Sequence, residues 1–444
     1  MGRRVVDLGL EFSLPRAAVR NKSSSSILLV ALLSLGACIT NSEVGKFYSP
    51  AGGDGGTSDP SSTSDAGAAH SGGASDAATT NTIDPRPLVP AQARIAAGAA
   101  STCAIDASGE VICWGDNVHG QLGATGSSQY AASEVPWVVQ GLDIGIDAVF
   151  GGSFAHCALK KDGHVVCWGD SVYERAAPGT AMKAATTYAP REAPALSQVA
   201  TVAIGAYFQC ALTLAKSAKC YGLNSAGQLG DRSRNDSDTP VDVSGMGGPV
   251  RAISAAQSGY FACAIASNGG GDGGAVKCWG ANGHGQLGNG STDDATEAES
   301  VIGLGLSFED GNVTAIATGS DHACAVVAGS VLCWGSNTTG QLGDGTTEER
   351  TRPTLVSGLP RMLTLTAGTG HTCALSEAGA VYCWGNYDGD TGSLTPDIVI
   401  SGAIVEITAG SRHTCALSAG GTLRCWGADE RYQLGPFYGK GTQL

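Results

Sequence analysis

A cysteine pair that returns seven times, each time followed by an aromatic residue and a glycine, restricts this chain more than any other feature. The pairs are Cys103/Cys113, Cys157/Cys167, Cys210/Cys220, Cys263/Cys278, Cys324/Cys333, Cys373/Cys383 and Cys415/Cys425. Successive first cysteines lie 54, 53, 53, 61, 49 and 42 residues apart. A period near 50 filled with short strands is the pattern of propeller blades. In the sixth copy the strands read as PTLVSGL (353–359), LTLTAG (363–368), HTCALS and, after the turn EAG, AVYCWG. PRPLVP (85–90) is the matching first strand of copy one, and only the tail KGTQL is left to stand after copy seven. One small sheet cannot bury both of its faces, whereas a closed ring of sheets covers each face with a neighbour. The expected fold is all-β: a seven-bladed β-propeller over residues 84–444. An open β-solenoid competes, but its repeats are usually much shorter.

The spacing within each pair suits a hairpin. In CALSEAGAVYC a three-residue turn places Cys373 opposite Cys383, where Cβ atoms about 4.5–5.5 Å apart can close to a disulfide. Copy four lengthens this turn with NGGGDGG and copy five shortens it by one residue, so register is expected to adjust there. Zinc ligation is a weaker reading, because zinc prefers pairs two to four residues apart. Reduced core thiols remain open. Trp114, Trp168, Trp279, Trp334, Trp384 and Trp426 follow the second cysteine, with Tyr221 in copy three. They read as core between blades. Asn-x-x-Gly-Gln-Leu-Gly at 117–123, 224–230, 282–288 and 337–343 reads as turn chemistry.

The first 37 residues read as an export signal. Arg16, Arg20 and Lys22 precede the apolar run ILLVALLSL (27–35), and Leu-Gly-Ala-Cys closes it. That ending resembles the bacterial lipobox, which implies a lipid-modified Cys38 as the first mature residue. Multiple acyl chains on one residue anchor stably where a single chain would not. Residues 38–83, rich in Gly, Ser, Ala, Thr and Asp, read as a disordered linker from that anchor. The expected location is the cell envelope, favouring the outer membrane, facing the periplasm or the outside. Fifteen cysteines then divide into seven pairs plus Cys38. Beyond Cys38 the chain carries 21 basic and 38 acidic residues. A surface so acidic disfavours nucleic acid.

The string HTCAL…GxVxCWGxNxxGQLG resembles the repeat of the regulator-of-chromosome-condensation family over residues 85–444. The resemblance implies a seven-bladed propeller. Copies two (CWGDSVYERAA) and six (CWGNYDGDTGS) lack the Gln-Leu-Gly ending, so different outer loops are expected there. Eukaryotic members exchange guanine nucleotide on a small GTPase, and secreted bacterial propellers of similar context inhibit β-lactamase. No functional residue carries over from either branch.

No nucleophile–base pair stands out. His156, His322, His371 and His413 lie just before a first cysteine and read as structural hydrogen bonders, not a metal ring. Asn386, Asp388 and Asp390 alternate as calcium ligands do, but the glycine is displaced and no bidentate Glu follows, so no metal or cofactor is expected. The expected function is a monomeric, non-enzymatic envelope lipoprotein that binds an unidentified protein as scaffold or inhibitor. A nucleotide-exchange regulator and an envelope hydrolase or lyase with a central site are the alternatives. Palmitate fed to cells is expected to label the protein, and Cys38→Ala is expected to abolish the label; a labelled Cys38→Ala chain would remove the anchor.

Overall fold

A computed structural model of the chain describes residues 93–443 apart from 124–131, 143–144, 176–181, 194–195, 268–273, 305–311, 390–391 and 438–441; for 171–175, 182–187 and 442–443 it describes the backbone alone. The segments expected to be signal, lipid site and linker lie outside the described residues.

Seven antiparallel sheets, each of four strands in sequence order, form the blades. Blade 1 holds β1 (Ile95–Ala97), β2 (Ser101–Ile105), β3 (Val111–Gly115) and β4 (Ser133–Val138). Blade 2 holds β5 (Ile146–Gly151), β6 (Ala155–Lys160), β7 (Val165–Arg175) and β8 (Met182–Glu192). Blade 3 holds β9 (Val199–Ile204), β10 (Phe208–Thr213), β11 (Ala218–Gly222) and β12 (Ser237–Asp242). Blade 4 holds β13 (Val250–Ala255), β14 (Phe261–Ser267), β15 (Gly274–Gly280) and β16 (Ala295–Ser300). Blade 5 holds β17 (Val313–Thr318), β18 (His322–Val327), β19 (Ser330–Gly335) and β20 (Arg350–Leu355). Blade 6 holds β21 (Met362–Ala367), β22 (His371–Ser376), β23 (Val381–Gly385) and β24 (Ser393–Ile400). Blade 7 holds β25 (Ile404–Ala409), β26 (His413–Ser418), β27 (Thr422–Gly427) and β28 (Thr442–Gln443).

The strand content matches the sequence reading, but its phase differs. The Pro-bearing segment at 350–355 is the outermost strand of blade 5, not the first strand of blade 6. Its alternating, half-exposed pattern suits an edge, and Pro is tolerated at an edge because no ladder donor is needed there. Each blade therefore ends where it was expected to begin. The tail supplies the missing edge of blade 7, through Thr422↔Gln443 and Leu423↔Thr442. The segment 85–90 lies outside the described residues.

Cysteines face each other directly in every blade, and each pair closes as a disulfide within its own hairpin. The bridges are Cys103–Cys113, Cys157–Cys167, Cys210–Cys220 and Cys263–Cys278 in blades 1 to 4. Cys324–Cys333, Cys373–Cys383 and Cys415–Cys425 follow in blades 5 to 7. Their Cα separations are 4.0–4.1 Å, the close approach of directly opposed residues. Copies four and five need no register adjustment, which corrects the expectation from their turn lengths. Blade 4 takes up its extra residues beyond the Ser267↔Gly274 pair, so Cys263 still faces Cys278. Blade 5 closes with a two-residue turn at Ala328 and Gly329, both at positive φ (49° and 82°), and Cys324 still faces Cys333. Such primed turns match the twist of the strands they join.

The core lies between blades. Each disulfide packs against the Ala that follows the first cysteine of the next blade, and against that blade's aromatic residue. Cys103 and Cys113 meet Ala158 and Trp168, Cys157 and Cys167 meet Ala211 and Tyr221, and Cys210 and Cys220 meet Ala264 and Trp279. Cys263 and Cys278 meet Ala325 and Trp334, Cys324 and Cys333 meet Ala374 and Trp384, and Cys373 and Cys383 meet Ala416 and Trp426. Cys415 and Cys425 close the circle on Ala104 and Trp114 of blade 1. A bulkier residue than Ala would push the disulfide away, since interiors this dense tolerate few added methylenes. The Leu of the preceding Gln-Leu-Gly segment completes the contact, and the Gln carbonyl accepts from the indole. Trp168 Nε1 donates to Gln121 O (2.8 Å), Trp279 to Gln228 O (2.9 Å), Trp334 to Gln286 O (2.9 Å), Trp384 to Gln341 O (2.9 Å) and Trp114 to Gln433 O (3.0 Å).

The last of these bonds exposes a fifth turn of this kind that the sequence reading missed. Asp429 stands for Asn and Tyr432 for Gly, yet Leu434 N still donates to Asp429 Oδ1 (3.0 Å), as Leu122 N does to Asn117 Oδ1 (2.9 Å). The two exceptions are informative. Blade 2 lacks Gln-Leu-Gly, and blade 3 then carries Tyr221, whose hydroxyl donates to Gln209 Oε1 of its own blade (2.6 Å). Blade 6 lacks it too, and Trp426 Nε1 is buried with no hydrogen-bond partner among the described residues. Trp334→Phe is expected to lower stability by about 1–2 kcal/mol more than Trp426→Phe, because only the first leaves a carbonyl without its donor. Urea midpoints measure this, and equal losses would contradict it.

Candidate functional site

Three regions gather polar or aromatic side chains: the residues just before each first cysteine, the axial cavity, and the loops of one face. In the first, two neighbouring columns act together. The residue two before the first cysteine meets, in the next blade, the residue one before its first cysteine. His322 Nε2 contacts Thr372 Oγ1 (2.9 Å), His371 Nε2 contacts Thr414 Oγ1 (2.8 Å), and His413 Nε2 contacts Thr102 Oγ1 (2.8 Å). At the seam of blades 1 and 2 the order reverses, with Ser101 Oγ and His156 Nε2 at 2.8 Å. Phe208 and Phe261 occupy the first column in blades 3 and 4, where the second column offers Ala262 and Ala323; all four are buried.

The tautomer follows from the bonds. Thr372 and Thr102 donate their hydroxyl protons to Gln341 O (2.9 Å) and Gln433 O (3.0 Å), so they accept from His322 and His413 Nε2–H. The Nδ1 atoms of His322, His371 and His413 are buried without a partner among the described residues, so these rings do not readily gain a second proton. Burial holds His322 and His413 at about 3 and His371 at about 4. His156 is also held at about 4 by burial, with the Phe150 backbone pulling the other way. Gly368 is required beside this ring of histidines: a Cβ there would strike the His371 ring and the Gly410 carbonyl of the next blade. The histidines are inter-blade bolts, as their position suggested. Among the described residues no group of three or more His, Cys, Asp or Glu converges to hold a metal.

The axial cavity measures about 520 Å³ and is lined by the innermost strands of all seven blades. The bridged cysteines take no part in it. Cys167, Cys220, Cys333 and Cys425 sit with their partners on the second and third strands, behind the strand that lines the axis, where they staple each blade's hairpin. The polar groups of the cavity bridge seams. Ala97 N donates to Thr408 Oγ1 (3.1 Å), Ala409 N to Thr366 Oγ1 (2.9 Å) and Thr318 N to Ser254 Oγ (3.1 Å). Glu406 accepts from Ile95 N (3.1 Å) and Arg94 N (3.2 Å), clasping the last blade to the first. Burial pushes its carboxyl up to about 7, against the pull of those N–H groups and of Arg94. One end of the cavity is plugged. The loop after β13 in blade 4 sends Gln257 Nε2 to the carbonyls of Ala97 and Gly151, while Ser153 Oγ donates to Gln257 O. Ser258 Oγ meets Ser411 Oγ of blade 7 at 2.8 Å. This loop reaches from blade 4 to blades 1, 2 and 7. Neither Glu406 nor Gln257 stood out in the sequence. The signal was present in SAAQSGY, two residues longer than TAGTG before its aromatic or histidine.

At 386–392, Asp388 Oδ1 accepts from Gly392 N (3.1 Å), and Asp397 accepts from the Tyr387 hydroxyl (3.1 Å). Asp388 caps a turn and Asp397 stands in the edge strand beside it; Asp390 lies outside the described residues.

Fold and seams define a disulfide-stapled, seven-bladed β-propeller whose buried polar groups hold blades together. Models described as "Regulator of chromosome condensation (RCC1) repeat" match residues 273–326 and 328–375, and in a second form 93–121, 146–174, 313–341, 364–389 and 404–433. The chain carries this repeat over those residues. It is 30% identical over 283 residues to the E3 ubiquitin-protein ligase HERC2 of Homo sapiens, a match covering 62% of the chain and 6% of that protein. It is also 30% identical over 169 residues to the ultraviolet-B receptor UVR8 of Arabidopsis thaliana, covering 37% of the chain and 36% of the receptor. The chain thus spans only a small part of these relatives. Human WBSCR16 (TM-score 0.60, 21% identity, 73% of this chain and 90% of that one) shares the fold. So does yeast RCC1 (Prp20), solved with Kap60 bound (TM-score 0.61, 18% identity, 74% and 81%).

Acid should loosen this structure in a defined window. A histidine with a lowered folded pKa contributes stability that is present above its unfolded value, near 6.5, and is lost as pH falls toward 3–4. Glu406, raised from 4.5 to about 7, opposes this by one proton between those values. Near pH 5 unfolding is expected to take up a net of about three protons from these five groups, a loss of roughly 4 kcal/mol per pH unit. Urea midpoints at pH 7, 6 and 5 test this; a flat profile would show that the histidines do not stay neutral.

Proposed function

We propose that the protein is an envelope lipoprotein whose propeller binds another protein, as a scaffold or an inhibitor, without catalysis. The observation that carries this reading is the division of labour between interior and loops. The buried histidines, threonines, glutamines and Glu406 face partners across blade seams, which leaves recognition to loops on a rigid frame. The loop between the third and fourth strands differs most among blades. In blade 2 it becomes a long hairpin, with pairing that continues from Gly169↔Thr187 to Arg175↔Met182. Seven disulfides suit an oxidising compartment, in keeping with an exported chain tethered at Cys38 by residues 38–83. A body held on such a tether would face the periplasm or the outside, most simply from the outer membrane, as a monomer.

Photocrosslinking in intact cells tests the reading. The full chain would carry benzoylphenylalanine at single loop positions of the face formed by the loops after the first and third strands. One stoichiometric protein adduct is expected. Turnover of a glycan or ester that disappears in Glu406→Gln would instead make the central cavity an active site and overturn the proposal.

A further inference from the structure

The loop between the first and second strands of each blade places one residue three positions before the first cysteine. In blades 1, 5, 6 and 7 that residue is Ala100, Asp321, Gly370 or Arg412. In the three adjacent blades 2, 3 and 4 it is Phe154, Tyr207 and Tyr260. The propeller does not need an aromatic ring here, because Ala and Gly fill the same slot elsewhere. The next residue, Phe208 or Phe261, is fully buried in the seam, whereas Tyr260 is 39% exposed. The three rings form a continuous arc. Phe154 and Tyr207 centroids lie 5.7 Å apart, and Tyr207 and Tyr260 lie 6.5 Å apart at 18°. His119 extends the arc from blade 1, 4.5 Å from Phe154.

A carboxylate stands at each end of the arc. His119 Nδ1 meets Asp170 Oδ2 at 2.7 Å, and Asp170 lies at the base of the long blade 2 hairpin. Beyond Tyr260 the next blade presents Asp321, whose neighbours are His284 and Glu349. The cation at the matching slot, Arg412, sits in blade 7 and pairs with Glu430 (2.9 Å). Burial, with Tyr260 and Asp170 adding to it, raises the Tyr207 phenol; at Asp321 burial raises the carboxyl, His284 pulls it down and Glu349 pushes it up. Ring faces and carboxylates attract the same chemistry, a Lys or Arg side chain. A chain this acidic repels acidic partners over the rest of its surface as well.

We infer that Phe154, Tyr207 and Tyr260, flanked by Asp170 and Asp321, form the docking surface for a basic segment of a partner protein, its Lys or Arg side chains lying over the rings. This deepens the protein-binding reading and rests on it.

The test uses the full chain and two fluorescein-labelled peptides, one with four Arg residues spaced by Gly and Leu and one with Glu in place of Arg. Fluorescence anisotropy at low salt is expected to show the Arg peptide binding at least tenfold more tightly than the Glu peptide. Tyr207→Ala/Tyr260→Ala is expected to weaken it at least tenfold, and Asp321→Asn several-fold. Leu363→Ala, at the opposite end of the cavity, should leave it unchanged. Tyr207 also packs against the core between blades 2 and 3, so the melting midpoint of the double variant is expected to fall, and Asp321→Asn, which removes only charge, separates binding from stability. No binding of the Arg peptide, equal binding of both peptides, or full binding by the variants would overturn the assignment. A protein adduct in the crosslinking experiment alongside any of those results would leave protein binding standing and remove only this surface.

Discussion

The ring depends on what one blade offers the next. A four-stranded sheet with apolar residues on both faces has no stable existence alone, and every blade here solves this with the same few groups. A disulfide and a leucine from one blade cover an alanine and an indole of the next, and the indole proton goes to the glutamine carbonyl behind that leucine. Where the carbonyl is missing, the neighbour changes with it. Tyr221 replaces tryptophan after blade 2 and turns its hydroxyl inward, while Trp426 after blade 6 keeps an indole nitrogen without a partner among the described residues. The repeat is thus a property of seams more than of blades.

A second layer of seam contacts sets polarity. Histidine meets threonine, serine meets histidine, and phenylalanine meets alanine, so that either a hydrogen bond or a volume is matched at each junction. Neutral histidine suits this role because one ring nitrogen donates while the other tolerates a dry environment better than a charge would. A closed ring distributes such contacts evenly, and failure at one seam exposes two faces. The blade 4 loop that crosses the axis adds contacts no nearest-neighbour scheme contains, tying blade 4 to blades 1, 2 and 7.

Rigidity of the frame explains why diversity collects at one end. Loops after the first and third strands emerge on the same face, and the long hairpin, the aromatic arc and the plug all lie there. One such loop slot holds Ala, Gly, Asp, Arg or an aromatic residue in different blades of the same ring. Recognition by such a face requires little ordering on binding, which favours affinity for a given contact area.

Much of the architecture was legible from the chain alone because it is local and periodic. The cysteine spacing determined a hairpin, its sevenfold return determined the blade count, and the tryptophans after the second cysteines declared a core. The phase of the blades was not legible: the segment at 350–355 pairs equally well, on sequence grounds, with what precedes or follows it. Only the sheet decided, since an edge accepts Pro where an inner strand does not. The partners of the histidines, the clasp made by Glu406 and the reach of Gln257 were equally hidden, because each joins residues 43 to more than 300 positions apart. Contacts of that span depend on how the blades close into a circle, and closure is a property of the whole ring that no single repeat encodes.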